Sequence, residues 1–204
     1  MGAERLDSDE IRLYREAAAN VILWHFRLHP RPMSAGAEHL PDASRGEIAF
    51  GAMVSYGPVS LPPGTSPDVA DRFWSANLYK AKAAALLAIA PREAERRARS
   101  RTEGPDARPQ DLATTARGTL NRAADTLGVA DKQQWYQGLR EELERLYDDP
   151  TTWNGIEVLV TATREKGLLA EHEVEDLLGR AGAPRAPWPD WMPGTEARDD
   201  YYFD

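Results

Sequence analysis

The chain has 204 residues, of which 42% are hydrophobic and 28% are charged, and these proportions are typical of a folded globular protein. Its formal net charge is −8, which argues against general nucleic-acid binding because such binding needs a basic surface. The chain contains no cysteine, so disulfides, thiolate nucleophiles and zinc sites built on sulfur are excluded.

The N-terminal sequence MGAERLDSDE is charged and has no apolar segment, so we expect no signal peptide. No apolar run reaches the roughly 20 residues that a membrane-spanning helix needs. Arginine is far more frequent than lysine, and alanine, glycine and proline are abundant, a bias that is typical of a GC-rich bacterial genome. The sequence therefore predicts a cytoplasmic protein with no membrane segment.

The first predicted helix begins at Asp7 or Ser8, because either side chain can cap a helix start. Apolar residues then follow at helical spacing over 11–28, until two prolines end the pattern. The stretch 21–28 also alternates well enough for a strand. Residues 33–65 are predicted to be irregular, with a short helix over 45–56 favoured slightly over a strand.

The clearest predicted element is a central helix over 66–90. Ser66 occupies an N-cap position, Pro67 fits the first helical position, and the apolar stripe from Trp74 to Ile89 is expected to be buried. Pro91 is expected to kink the helix or to restart it, since proline removes a helical hydrogen bond. A highly charged continuation leads to residue 101.

Four further apolar stripes at helical spacing fill residues 110–182, and the short connections between them favour an antiparallel helical bundle. The predicted fold class is all-α, a bundle of about six helices with an irregular region at 33–65. We expect an N-terminal helical region at 1–101 and a C-terminal bundle at 110–182, together forming one compact domain, followed by an extended tail at 183–204.

This C-terminal tail combines four prolines with five aromatic residues and several carboxylates. Proline prevents a helix or a central strand from forming there, whereas aromatic side chains favour burial. The tail is therefore predicted to bind a partner through its aromatic side chains. Its acidic side chains are expected to favour a basic surface. The predicted contacts are Trp188, Trp191, Tyr201, Tyr202, Phe203, Asp199 and Asp200.

Three histidines offer a candidate metal site. His25 and His29 are one helical turn apart, a spacing at which two imidazoles can reach one ion. His39, or the acidic sequence around His172, could complete the ligand set. The favoured interpretation is structural, with His25 in the core and His29 at a helix end, so neither a metal nor a cofactor is predicted.

A run of arginines after the central helix offers a second candidate site, because guanidinium groups match phosphate oxygens. The same residues could contact the acidic tail, or they could form a solvated helix end paired with Glu93 and Glu95. The run comprises Arg92, Arg96, Arg97, Arg99 and Arg101.

No nucleophile motif, glycine-rich phosphate loop or dinucleotide fingerprint is present, so the sequence favours a protein that is not an enzyme. The leading hypothesis is a helical interaction protein, an adaptor or assembly subunit, that engages a protein partner through its helical surface and its tail. Homo-oligomerisation is possible. One alternative is an acidic inhibitor, immunity protein or nucleic-acid mimic. Another is a small helical metalloprotein or enzyme centred on His25 and His29.

Overall fold

A computed structural model gives the fold and describes residues 6–36, 63–105, 111–112 and 114–187. The described residues form six helices and one two-stranded sheet, which confirms the predicted all-α class. The elements are α1 (Ser8–His25), β1 (Met33–Ser34), α2 (Pro67–Thr102), α3 (Thr114–Thr126), α4 (Lys132–Asp148), α5 (Pro150–Lys166), β2 (Leu168–Leu169) and α6 (Glu171–Arg180).

Helix α1 begins where the sequence predicts, but it ends earlier. The Asp7 side chain accepts a hydrogen bond from the Glu10 amide at 2.8 Å, and the Glu10 carboxylate accepts one from the Asp7 amide, so both groups cap the helix. After His25 the backbone of Arg27 adopts a positive φ of 56°, which breaks the helix before the apolar stripe is finished. The alternative of a strand beginning at residue 21 is wrong.

Helix α2 is longer than the predicted central helix. It begins at Pro67 as expected but continues through Pro91 to Thr102, over 36 residues. Proline removes one hydrogen bond from the helix, but the helix residues on both sides of Pro91, such as Ala90 and Ala94, are buried in the core. The predicted burial of the 74–89 stripe is wrong at its start, because Trp74 and Leu78 remain 43% and 40% exposed.

Aspartate side chains cap the starts of α4 and α5. Asp131 accepts a hydrogen bond from the Gln134 amide at 2.9 Å and begins α4, while Asp149 accepts one from the Thr151 amide at 2.8 Å and begins α5. Gly167 ends α5 with a φ of 80°, a conformation that glycine adopts without strain.

A small antiparallel sheet was not expected from the sequence. Met33 pairs with Leu169, and Ser34 pairs with Leu168. The Arg12 guanidinium on α1 donates to the Ser34 carbonyl at 2.9 Å and so fixes the outer end of the sheet. This pairing attaches the segment after α1 to the segment between α5 and α6.

One continuous hydrophobic core contains buried side chains from all six helices. Helix α1 packs against α2 and α5, helices α3 and α4 pack against α2, and α6 packs against α5. Within the described ranges, no helix is both long enough and apolar enough to cross a membrane. The predicted element at 45–56 and the tail from residue 188 onward lie outside the described residues. Representative core residues are Ile22, Leu87, Leu120, Leu143, Leu159 and Leu178.

Candidate functional site: a cationic groove beside the tail

The arginine run after the middle of α2 surrounds two buried carboxylates. Glu93 is 1% exposed, and its oxygens accept hydrogen bonds from Arg96 at 2.8 Å and from Arg140 of α4 at 3.0 Å. Arg92 approaches the same carboxylate at 3.3 Å. A buried carboxylate needs such partners because removing its charge from water is costly.

Glu95 is enclosed in the same way on the side of α2 that meets α1. It is fully buried, and it accepts hydrogen bonds from Arg15 of α1 at 3.0 Å and from Arg99 at 2.8 Å. The ion pairs of Glu93 and Glu95 therefore join α2 to α4 and to α1, respectively.

The remaining two arginines of the run also have carboxylate partners. Arg97 donates to Asp148 at 2.6 Å, and Arg101 donates to Glu157 at 2.9 Å. Both guanidinium groups lie over the Trp153 ring, 5.0 and 4.7 Å from its centroid. In the described structure, the predicted phosphate-binding or tail-binding run is thus occupied by ion pairs within the bundle.

A groove between α2, α3 and α4 presents a different set of cations. It comprises two cavities that share Trp135 in their linings, one of about 480 Å³ and one of about 720 Å³, and we call them its cationic half and its apolar half. The cationic half is lined by four cationic side chains and by three other polar ones, namely Arg92, Arg117, Lys132 and Arg140, and Tyr136, Asn121 and Asp111. The apolar half is lined mainly by Leu78, Tyr79, Leu127 and Leu139. Lys82 and Glu142 also belong to its lining.

The cations of the groove differ in how far they are already neutralised. Arg92 and Arg140 contact the buried Glu93, and Lys132 pairs at 2.7 Å with Asp125, which is exposed. Arg117 is exposed and forms no ion pair with another described residue. An exposed ion pair contributes little to stability, and its members can exchange partners. Arg117 and Lys132 are therefore the groups best placed to bind an incoming anion.

The beginning of the C-terminal tail docks beside the apolar half of this groove. The indole of Trp24 donates to the Ala183 carbonyl at 2.9 Å, and the Ala186 amide donates to the His25 carbonyl at 2.8 Å. The neighbouring Phe26 carbonyl accepts the hydroxyl of Tyr79 at 3.1 Å, and Tyr79 lines the groove. The chain therefore leaves the described fold close to the apolar half.

The first residues of the predicted tail, 183–186, contact α1 and the turn after it. Arg185 lies over the Trp24 ring at 3.5 Å from its centroid, and the Arg27 guanidinium donates to the Ala186 carbonyl at 3.1 Å. This stretch belongs to the fold. The predicted partner contacts themselves lie outside the described residues: Trp188, Trp191, Asp199, Asp200, Tyr201, Tyr202 and Phe203.

The two described histidines of the candidate metal site contact different elements. The Nδ1 of His25 lies 3.1 Å from the Pro184 carbonyl, and burial lowers the pKa of its imidazole. His29 lies beyond the end of α1, with its Nδ1 3.3 Å from Glu171 and 3.6 Å from Glu175. His39 lies outside the described residues.

Sequence reasoning missed the groove because its lining comes from three helices that are distant in sequence. Lys132 stands next to the cap of α4, and Trp135 and Tyr136 follow it. In the sequence, these three residues look like part of an ordinary amphipathic helix. The only signal was an incomplete apolar stripe on α4, where aromatic and cationic residues alternate with the leucines that reach the core.

Comparison with known proteins gives no relative for this chain. No protein-family model matches it, and neither curated proteins nor solved structures give a significant match.

Proposed function

We propose that this protein is a helical interaction protein whose α2–α3–α4 groove binds an acidic, aromatic peptide segment of a protein partner. The observation that carries the proposal is the lining of the groove, where four cations and two aromatic rings accompany a single carboxylate in a chain of net charge −8. Local positive charge on a surface favours acidic ligands.

The two halves of the groove support a two-part mode of binding. Leu78 is 40% exposed in the apolar half, and Trp135 reaches both halves. Aromatic side chains bury a large area at interfaces and supply many binding hot spots. An aromatic residue of the segment would occupy the apolar half, while its carboxylates would contact Arg117 and Lys132.

The chain's own tail has the required chemistry. Residues 188–204 contain two tryptophans, two tyrosines, a phenylalanine and five acidic side chains against one arginine. The residue before them, Pro187, follows the Ala186 contact with His25 beside the apolar half. We therefore propose that the tail occupies the groove until a partner segment of similar chemistry displaces it, and that the released tail then provides a second partner contact.

A direct test uses a fluorescent peptide of residues 188–204 and a chain that ends at Pro187. This end point keeps the contacts of residues 183–186 with α1, so we expect the shortened chain to fold. We expect fluorescence anisotropy to show saturable binding of the peptide to the shortened chain. Salt should weaken this binding, because it screens the exposed charges that contribute to it. The full-length chain should bind the peptide less well, since its own tail competes.

Two substitutions separate the groove from general charge effects. Arg117→Glu with Lys132→Glu should weaken peptide binding by about tenfold or more, whereas Arg145→Glu should leave it unchanged. Arg145 is exposed on the same helix as Lys132 and does not line the groove. Equal loss in both variants, or no binding by the shortened chain, would contradict the proposal.

A further inference from the structure

We propose that His29, Glu171 and Glu175 form a binding site for a divalent transition-metal ion, with Zn²⁺ as the representative case. The Nδ1 atom of His29 lies 3.3 Å from the Glu171 carboxylate and 3.6 Å from the Glu175 carboxylate. All three donor atoms lie within 4.8 Å of one another. None of these residues lines the groove, so this site is independent of the proposed function.

The two separations from His29 match those between ligands of a single ion. Zinc binds histidine nitrogen and carboxylate oxygen at about 2.0–2.2 Å, so two tetrahedral ligands lie roughly 3.3–3.6 Å apart. The two measured separations from His29 fall in that interval. An ion could therefore replace the direct histidine–carboxylate contacts with small side-chain movements and no change of the backbone.

Two elements hold the donors in place from opposite sides. Glu171 and Glu175 are one turn apart on α6, so their side chains share a face. On the other side, the buried Asn20 amide accepts from the Arg31 amide at 2.6 Å and donates to the Arg31 carbonyl at 3.1 Å. This clamp, with the β1–β2 pairing, fixes the segment that carries His29 next to the start of α6.

The two carboxylates favour a cation, whereas the other charges around the cluster limit the affinity that we expect. With a neutral imidazole, the three donors carry two negative charges. The Arg31 guanidinium interacts with Glu171, and the positive end of the α6 dipole opposes a cation there. All three donors are at least partly exposed, which leaves room for water as additional ligands. The imidazole donor favours zinc over magnesium, which prefers oxygen ligands.

The test is isothermal titration calorimetry of the full chain, prepared without a histidine tag, with ZnCl₂ alone and with MgCl₂ alone. We expect one zinc ion per chain, and affinity for magnesium at least tenfold lower. His29→Ala and Glu175→Gln should each weaken zinc binding at least tenfold. His172→Ala is the matched control, because this exposed histidine stands between the two glutamates in sequence but does not belong to the cluster.

A thermal melt keeps the test decisive if a variant folds poorly. Zinc should raise the Tm of the wild type and of His172→Ala, because an ion that binds only the folded state stabilises it. At the same zinc concentration it should raise the Tm of Glu175→Gln less than that of the wild type. Absence of zinc binding by the wild type at millimolar zinc would overturn the proposal, as would binding that His172→Ala abolishes and His29→Ala leaves intact.

Discussion

The two halves of α2 reverse the usual relation between side-chain polarity and burial. The N-terminal half carries Trp74 and Leu78, which stay more than one third exposed, whereas the charged C-terminal half buries Glu93 and Glu95 almost completely. Arginines from α1, α2 and α4 surround these two carboxylates. The comparison shows that neighbouring helices, rather than hydrophobicity along α2 alone, decide which part of it is core.

This difference also separates two kinds of cation. Arg96 and Arg99 contact fully buried carboxylates, so they hold the bundle together and offer little to a ligand. Arg117 and Lys132 face the open groove, where an exposed charge has a small effect on stability and a larger one on binding. A run of charge in the sequence does not distinguish these roles.

The largest expected effect comes from leucines in the two halves of α2. Leu87→Ala should lower the free energy of unfolding by about 2–5 kcal/mol, because Leu87 is fully buried in the core. Leu78→Ala should lower it by less than about 1 kcal/mol, since Leu78 is 40% exposed. Urea denaturation of both variants measures the difference, and similar losses would show that the halves are not distinct.

A slightly smaller effect is expected at the buried ion pairs. Glu95→Ala should destabilise the fold by about 3 kcal/mol, since it leaves Arg15 and Arg99 facing each other without their carboxylate. Glu141→Ala, on the exposed face of α4, should change stability by no more than about 0.5 kcal/mol. Urea denaturation at neutral pH provides both values. A cost at Glu95 as small as that at Glu141 would mean that the arginine cluster is only a solvated surface.

The sequence predicted the helices far better than the groove. Local signals such as Asp7 before α1 and Ser66-Pro67 at the start of α2 lie next to the elements they define, so these helix starts could be predicted. The passage of α2 through Pro91 could not, because it depends on tertiary burial on both sides of the proline. The early end of α1 depends on a positive φ at Arg27, which the surrounding sequence does not signal.

The candidate site could be predicted only in part. The sequence offered the residues around His172 only as one of two possible additions to a His25–His29 pair, whereas in the structure His29 lies near Glu171 and Glu175. Glu171 and Glu175 are four residues apart and so share one face of a helix, whereas Glu171 and Glu173 lie on different faces. The groove joins Arg117 on α3 to Lys132 on α4 and Tyr79 on α2, and that juxtaposition exists only once the helices have packed.

A smaller effect concerns His25, where the tail meets α1. Burial lowers its pKa in the folded chain, so the unfolded chain binds the proton more readily. Stability should therefore fall as pH decreases below about 6.5, the ordinary histidine value, and level off below the folded pKa. In the His25→Gln variant, the free energy of unfolding should change less with pH over this range. Urea denaturation between pH 7.5 and about 5 measures the two slopes, and an unchanged slope in the variant would assign the pH dependence to other groups.

The most direct test of the groove proposal is a charge exchange between groove and peptide. The shortened chain carrying Arg117→Glu and Lys132→Glu is titrated with the 188–204 peptide and with a peptide carrying Asp199→Arg and Asp200→Arg. If these carboxylates contact these cations, each single exchange weakens binding and the combination recovers most of the affinity. Weakening that is merely additive in the combination would contradict contact between the acidic segment and the groove.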